Sequence, residues 1–350
     1  MKIEQIIINQ ETGASLTRYA LDHDGEMQNV SIRPAVLVIP GGGYAYCSSR
    51  EAEPVALAFV NMGFHAFVLK YSVGMHGLWP TPLREAEYAM KMIRDHADEW
   101  AIASNKIAVI GFSAGGHLTA ALGTIAKERP NAIILGYPGI NPHVLSDGFA
   151  QKTYELHEKT IEPIPVIADY VDDQTPPAFL FAAGEDNFMQ YQDYAPFLSE
   201  LQKRKIPLEI HYFAYGGHGF SLATSHTSSG LHSMYDPYDR GLWTHLCGEW
   251  LKKTWGDFSH NGTILDANIQ VVSQYQGTHY SLDDRLDTLF AEKACAAILH
   301  NFLPSLETVP ETKRSVSAVY ALRLMGVGKG VHFDSMVNAE KELNRIMKNR

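Results

Sequence analysis

The sequence is poor in cysteine: only three occur among 350 residues, at positions 47, 247 and 295. An odd number of cysteines this far apart argues against a disulfide framework, and small buried thiols are the ordinary alternative. Basic residues are also few, since 29 Lys and Arg stand against 39 Asp and Glu, for a net charge of −10. Nucleic acid and anionic membranes repel such a chain, so neither is predicted as a partner.

Long apolar runs are missing as well. No run approaches the roughly 20 residues that a membrane-spanning helix needs. The opening segment MKIEQIIINQ carries an acidic residue and no cleavage-like site, which predicts a first strand and not a signal peptide. Hydrophobic residues make up 45% of the chain and charged residues 19%. This balance predicts a globular protein, and the lack of a membrane span and of a signal peptide predicts a cytoplasmic one. A homo-oligomer is among the expected assemblies.

Short β-rich runs alternate with helical patterns up to about residue 255, as a mostly parallel sheet covered on both faces by helices requires. The runs predicted as strands are residues 36–39, 66–71, 107–110, 132–135, 179–182 and 208–213. The segments predicted as helices are residues 83–100, 114–127, 191–205 and one with an apolar face over residues 242–251 that ends near Trp255. The predicted fold class is α/β.

The character of the sequence changes near residue 257. Residues 256–278 are polar and irregular, and residues 281–350 have the pattern of about three helices with no strong strand. We predict an α/β domain over residues 1–257, a linker over 258–280 and a helical C-terminal appendage over 281–350. The appendage shows no catalytic constellation, and its apolar stripe predicts packing against itself, the main domain or another subunit.

The segment IAVIGFSAGGHL, residues 107–118, places one serine among glycines between a predicted strand and a predicted helix. A phosphate-binding loop would need Lys and then Ser or Thr after its second glycine, but His117 and Leu118 stand there. The pattern Gly-x-Ser-x-Gly is complete, from Gly111 to Gly115. It is typical of a nucleophilic serine in a strained turn, although an ordinary glycine-rich turn is the alternative.

A nucleophilic serine needs a histidine as base and an acid that orients it, and in this context the chain order is Ser, acid, His. Asp186 follows the predicted strand 179–182, and His218 follows the predicted strand 208–213. Both lie at carboxyl ends of strands, where an open α/β sheet places its site. Glu185 competes with Asp186, and either acid could merely cap the next helix.

The chain contains 16 histidines, so most are expected at the surface or in satisfied core positions. His218 differs because the glycines around it leave its backbone free to turn toward Ser113. His226, His232 and Asp236 could together bind a metal ion. They lack ligand-like spacing, so no metal site is predicted.

A second glycine-rich turn, PGGGY at residues 40–44, follows the predicted strand 36–39. It does not fit the Gly-x-Gly-x-x-Gly pattern of dinucleotide-binding sites, because Tyr46 stands at the last position. Residues without side chains let their N–H groups face a developing alkoxide, which favours an oxyanion hole. The second donor is expected to be the N–H of Ala114, directly after the serine.

These ordered motifs resemble those of the α/β-hydrolase carboxylesterases of the hormone-sensitive-lipase and acetyl-xylan-esterase type, over roughly residues 30–255. PGGGY resembles the family's HGGG oxyanion segment with Pro40 in the place of the histidine, and GFSAGGH resembles its nucleophile turn. TPPAFLFAAGEDNFM and GGHGFSL are similar to its acid strand and its histidine loop. The resemblance implies an α/β-hydrolase fold, and it implies these roles: nucleophile Ser113, acid Asp186, base His218, and oxyanion donors Gly42, Gly43 and Ala114.

The resemblance also implies the reaction: hydrolysis of a small ester through an acyl-enzyme, with no cofactor and no metal. Short-chain acyl or acetylated substrates are expected, acetylated carbohydrates among them, because the C-terminal helices weakly resemble appendages of some carbohydrate-active enzymes. A cap over the site would come from residues 138–177. Peptidases and arylformamidases use the same machinery, and a ligand-binding relative without turnover is a further alternative, which the complete triad disfavours.

Overall fold

The computed structural model describes residues 1–22, 32–140, 164–228, 238–256, 277–325 and 333–348. The chain divides into two compact units, the first made of residues 1–22 and 32–258 and the second containing residues 259–350. The buried apolar side chains of each unit form a cluster of their own. Of the predicted linker, residues 258–280, only residues 277–280 are among the described residues.

The first unit is built on one sheet of eight strands in the described residues. The strands are β1 Lys2–Asn9, β2 Ala14–Ala20, β3 Arg33–Ile39, β4 His65–Lys70, β5 Ile102–Phe112, β6 Ala132–Gly136, β7 Ala178–Ala183 and β8 Leu208–Phe213. Their order across the sheet is β1-β2-β4-β3-β5-β6-β7-β8. β2 pairs antiparallel with β1 and β4, and all other neighbours are parallel. The predicted α/β fold with a mostly parallel sheet is confirmed.

A helix lies in each connection from β3 to β4, β4 to β5, β5 to β6 and β7 to β8, and another follows β8. Those of the first unit are α1 Glu53–Asn61, α2 Thr81–Asp95, α3 Ala114–Thr124, α4 Tyr191–Lys203 and α5 Trp243–Trp255. Those described in the second unit are α6 Leu286–Ala291, α7 Lys293–Phe302, α8 Ala318–Leu324 and α9 Phe333–Leu343. Every residue of α3 is buried, so this helix lies in the interior of its unit. No helix in the described ranges has both the length and the apolar character of a membrane span.

Two elements of the first unit have no counterpart among the predicted ones. Strand β2 is buried along nearly its whole length, but Ser15, Thr17 and Arg18 leave its sequence with neither an apolar run nor a regular alternation of apolar and polar residues. Helix α1 is only nine residues long, which leaves little periodicity to detect. Three predicted helices also end earlier than expected, and residues with positive φ, such as Ala101 and Lys205, follow two of them and turn the chain.

The sheet order determines where the predicted site can form. The turns after β3, β5, β6, β7 and β8 leave parallel strands, so they emerge at the same edge of the sheet. β3 and β5 are neighbours, which brings the PGGGY turn next to the serine turn. β7 and β8 are also neighbours, which brings the predicted acid next to the predicted histidine.

A chain that ends at Gly256 should still unfold cooperatively. The apolar cluster of the first unit, as far as the chain is described, consists of residues up to Trp255. Thermal unfolding followed by circular dichroism is the measurement, and we expect a single transition and a helix signal reduced only by the missing helices α6 to α9. A truncated chain without a cooperative transition would show that the first unit does not fold without residues 257–350.

Candidate active site

Ser113 lies between the end of β5 and the start of α3, and its backbone adopts φ 51° and ψ −118°. A positive φ strains a residue other than glycine by about 1–3 kcal/mol. The flanking glycines leave room for this tight turn, because a side chain at either position would clash with the backbone. A Cβ on Gly111 would lie 2.1 Å from the carbonyl oxygen of Gly115, and a Cβ on Gly115 would lie 2.2 Å from the carbonyl oxygen of Ile39. Helix α3 therefore lies too close to β3 and β5 for any side chain at these two positions.

Three predicted residues form a line of hydrogen bonds. The Ser113 hydroxyl lies 2.8 Å from Nε2 of His218, and Nδ1 of that ring lies 2.7 Å from Oδ2 of Asp186. The Asp186 side chain is 1% exposed and that of His218 is 19% exposed. An imidazole placed in this way can take the serine proton while its second nitrogen donates to a buried carboxylate.

The two neighbouring acids point to different partners. Oδ1 of Asp186 accepts the N–H groups of Phe188 at 2.8 Å and Met189 at 2.9 Å, which leaves Oδ2 for His218. Glu185 is exposed, and its Oε2 accepts the N–H of Gly216 at 2.9 Å. Asp186 is thus the acid that contacts the imidazole of His218. Glu185 instead binds the backbone of the loop that carries His218.

The PGGGY turn lies directly against the serine. A Cβ on Gly41 would lie 3.0 Å from the Cβ of Ser113. Gly42 and Gly43 have φ values of 128° and 60°, in the region that favours glycine. Among the described residues, the N–H groups of Gly42, Gly43 and Ala114 donate to no protein acceptor. These three groups are therefore available to a ligand oxygen.

Two side chains hold this turn in place, and neither was predicted as part of the site. The carbonyl of Pro40 accepts the hydroxyl of Tyr71 at 2.9 Å, and the N–H of Gly41 donates to Oε2 of Glu51 at 2.9 Å. Glu51 is 3% exposed, and its Oε1 accepts the hydroxyl of Tyr137 at 2.6 Å. Pro40, the departure from the family pattern, is thus accommodated through its carbonyl.

Burial raises the pKa of Tyr137 well above its usual range, and the charge of Glu51 and the hydrogen bond to it act in the same direction. The phenol therefore stays protonated and donates to Glu51. The signal that could have found Tyr137 is its place directly after β6, at the edge of the sheet where site residues gather. Glu51 gave no such signal, because an acid shortly before a helix is ordinarily a solvated charge.

His117 has hydrogen-bond partners outside the line of Ser113, His218 and Asp186. Nδ1 of His117 lies 2.8 Å from the Tyr44 hydroxyl, and its Nε2 lies 3.2 Å from the carbonyl of Pro165. His226 is exposed, and His232 and Asp236 lie outside the described residues. Within the described ranges, no three His, Cys, Asp or Glu side chains are grouped as metal ligands. The predicted cap, residues 138–177, is described only at 138–140 and 164–177.

Comparison with known proteins identifies the fold family. Residues 24–135 match the BD-FAE family, and residues 84–242 match the prolyl oligopeptidase family. The crystal structure of MGS-M1, an α/β-hydrolase enzyme from a Medee basin deep-sea metagenome library, is 43% identical with a TM-score of 0.63. The similarity covers 73% of this chain and 98% of that one. The chain belongs to the α/β-hydrolase family.

Further relatives of this α/β-hydrolase include esterases. The acetylxylan esterase of Xylanibacter ruminicola is 28% identical over 58% of this chain and 46% of its own length. Endo-1,4-beta-xylanase B of Butyrivibrio fibrisolvens is 32% identical over 57% of this chain and 34% of its own length. The chain thus spans between a third and a half of these curated relatives.

A second solved structure supports the same family. The acetyl ester-xyloside bifunctional hydrolase from Caldicellulosiruptor lactoaceticus is 28% identical with a TM-score of 0.59, and 97% of that chain is covered. The predicted resemblance to α/β-hydrolase carboxylesterases of the acetyl-xylan-esterase type is confirmed.

A fluorophosphonate probe should label Ser113 and no other serine, because only a hydroxyl hydrogen-bonded to a base attacks such a phosphorus centre. Intact-mass measurement and peptide mapping would show one adduct per chain, and Ser113→Ala should show none. Ser113→Ala should unfold like the wild type, since Ser113 is only half-buried in the turn between β5 and α3 and is not part of the apolar core. An adduct that persists in Ser113→Ala would contradict the assignment.

Proposed function

We propose that this α/β-hydrolase is a serine carboxylesterase with Ser113 as nucleophile, His218 as general base and Asp186 as the orienting acid. The observation that supports this proposal most directly is the line of hydrogen bonds of 2.8 and 2.7 Å that ends on the serine hydroxyl. The strained backbone of Ser113 adds to it, because such strain is concentrated at functional sites. The name of one curated relative, the acetylxylan esterase of X. ruminicola, agrees with ester hydrolysis.

Acylation follows from the positions of these groups. Nε2 of His218 takes the proton of Ser113 while Oγ forms a bond to the ester carbonyl carbon, and Asp186 stabilises the imidazolium. The carbonyl oxygen becomes an oxyanion and accepts the free N–H groups of Gly42, Gly43 and Ala114, each worth about 3–4 kcal/mol in such sites. His218 then gives its proton to the alkoxide that leaves, so that the bond between acyl carbon and alcohol oxygen breaks.

Deacylation repeats the sequence with water. Nε2 of His218, now neutral again, takes a proton from a water molecule whose oxygen attacks the acyl carbon of the serine ester. The same N–H groups hold the second oxyanion, and the proton returns to Ser113 as the carboxylic acid leaves. This sequence uses only groups of the chain and water.

The substrate we propose is an ester of acetate or another short acyl group, carried by a small alcohol or a carbohydrate. Two relatives have names that refer to acetyl esters, the esterase of X. ruminicola and the hydrolase of C. lactoaceticus. Phe188 supports a ring-shaped alcohol, because this residue is 42% exposed and its ring centroid lies 5.3 Å from that of His218. An exposed aromatic side chain next to the base offers apolar area to a bound alcohol.

Catalytic efficiency should therefore be highest for acetyl esters and should fall as the acyl chain grows. The measurement is kcat/KM for p-nitrophenyl acetate, butyrate and octanoate, together with acetate release from acetylated xylo-oligosaccharides.

Amide hydrolysis is the second candidate, because residues 84–242 match the prolyl oligopeptidase family. Faster cleavage of prolyl p-nitroanilides than of p-nitrophenyl acetate would favour that candidate and contradict the esterase proposal.

Asp186→Asn should lower kcat by about 10⁴-fold with little change in KM, because Asn no longer holds the imidazole in the tautomer that accepts the serine proton. Glu185→Gln is the matched control. Its amide oxygen can still accept the N–H of Gly216, so we expect kcat within a few-fold of the wild type. Steady-state kinetics on p-nitrophenyl acetate gives both values, and circular dichroism checks that both variants are folded. A strongly impaired Glu185→Gln beside a nearly normal Asp186→Asn would show that Glu185 is the acid.

A further inference from the structure

Glu51 is a buried carboxylate that the triad mechanism does not use. Its two oxygens accept hydrogen bonds from different sides of the site: Oε2 from the N–H of Gly41 at 2.9 Å and Oε1 from the hydroxyl of Tyr137 at 2.6 Å. Burial of a carboxylate is costly unless hydrogen bonds replace its water. Here they fasten the residue directly before the proposed oxyanion donors Gly42 and Gly43.

The chain of contacts continues to the loop that carries His218. The Tyr137 hydroxyl accepts the N–H of Ser221 at 2.9 Å, three residues beyond the histidine. Ser221 in turn donates its hydroxyl to the carbonyl of Arg50 at 2.6 Å. The guanidinium of Arg50 donates to the carbonyl of Gly219 at 2.8 Å. Residues 50 and 51 are thus hydrogen-bonded to both the oxyanion turn and the histidine loop.

Backbone strain occurs at the same contacts. Tyr137 has a φ of 34° and Ser221 a φ of 49°, both unfavourable for residues with side chains. Such conformations persist only where the surrounding contacts enforce them, and they are common where geometry serves function. The ring of Tyr137 also meets that of His218 edge-on, with 5.0 Å between the centroids. Tyr137 therefore contacts the base directly as well as through Ser221.

We propose that Glu51 is a positioning residue that fixes the distance between the oxyanion donors and His218, through Gly41 on one side and Tyr137 on the other. The inference rests on the proposed function, since both loops must act on one ester. Stabilisation of an oxyanion requires N–H donors that are already in place when the charge develops. At the same moment, His218 must remain hydrogen-bonded to the Ser113 oxygen. A displacement of about 1 Å between such groups can cost about 100-fold in rate.

Two nearly isosteric variants test this role. Glu51→Gln keeps the shape of the side chain but has one acceptor oxygen in place of two, so either the N–H of Gly41 or the hydroxyl of Tyr137 loses its acceptor. Tyr137→Phe keeps the ring next to His218 and removes the hydroxyl that joins Glu51 to Ser221. Each should lower kcat per active site by about 10- to 100-fold with a much smaller change in KM, because positioning acts in the transition state. The double variant should be about as slow as the slower single variant, since both interrupt the same connection.

The measurement is kcat on p-nitrophenyl acetate, divided by the concentration of active sites titrated with the fluorophosphonate probe. Glu85→Gln is the matched control, because Glu85 is also buried, at 6% exposure. Its carboxylate accepts the N–H of Ser72 at 2.7 Å and the side-chain amide of Asn9 at 3.0 Å, outside the triad and the two loops. We expect this variant to lose thermal stability and to keep the kcat of each titrated site.

The proposal is overturned if Glu51→Gln and Tyr137→Phe behave like Glu85→Gln, with a lower melting temperature or fewer titrated sites but an unchanged kcat for each site. Independent, additive losses in the double variant would also overturn it, because they would show two separate roles. Failure of the proposed function itself would be visible in the wild type, as absent labelling and absent ester hydrolysis, before any variant is compared.

Discussion

A positive φ at Ser113 requires that strands β3 and β5 and helix α3 meet with no side chain between them. Gly111 and Gly115 satisfy this requirement, since a Cβ on either would lie little more than 2 Å from a backbone oxygen. The same close approach places the glycine turn after β3 against the serine, because β3 and β5 are neighbours in the sheet. One packing constraint thus positions both the Ser113 hydroxyl and the glycine turn next to it.

The opposite half of the site depends on β7 and β8, which are also adjacent. Asp186 cannot rotate freely, because two backbone N–H groups hold its Oδ1 and His218 occupies its Oδ2. Fixed hydrogen bonds of this kind hold a catalytic side chain in place without help from solvent. The Asp186 carboxylate is therefore the rigid end of the line, and the His218 ring lies between it and the Ser113 hydroxyl.

Much of this arrangement could be predicted from local patterns. Each turn of the site follows a strand that is a short apolar run in the sequence. The turns around Ser113 and Gly42 contain glycines at spacings that only a few structures require. The fold and the family followed from these motifs. The choice between Glu185 and Asp186 did not follow from spacing, because it depends on which way the chain turns after β7. The family resemblance pointed to Asp186, and the structure places that residue on the imidazole.

Glu51 and Tyr137 could not be paired from the sequence, because they are 86 residues apart and no pattern joins them. Strand β2 was missed for a different reason: it is buried, yet Ser15, Thr17 and Arg18 interrupt the apolar run by which a buried strand is recognised. The domain boundary near residue 257 stays a prediction, since residues 257–276 lie outside the described residues. Local periodicity thus predicts elements and turns, whereas contacts between distant loops require the assembled fold.

The parallel arrangement of β5 to β8 also has a consequence for biosynthesis. Parallel neighbours cannot pair through a hairpin, so each must wait for an intervening crossover segment. Ser113 and His218 are 105 residues apart, and the carboxylate between them in the chain belongs to a third loop. A nascent chain on the ribosome therefore cannot form the hydrogen-bonded line of Ser113, His218 and Asp186 until the loop after β8 has emerged and docked. This line forms only when the sheet is complete, because no shorter fragment carries all three groups.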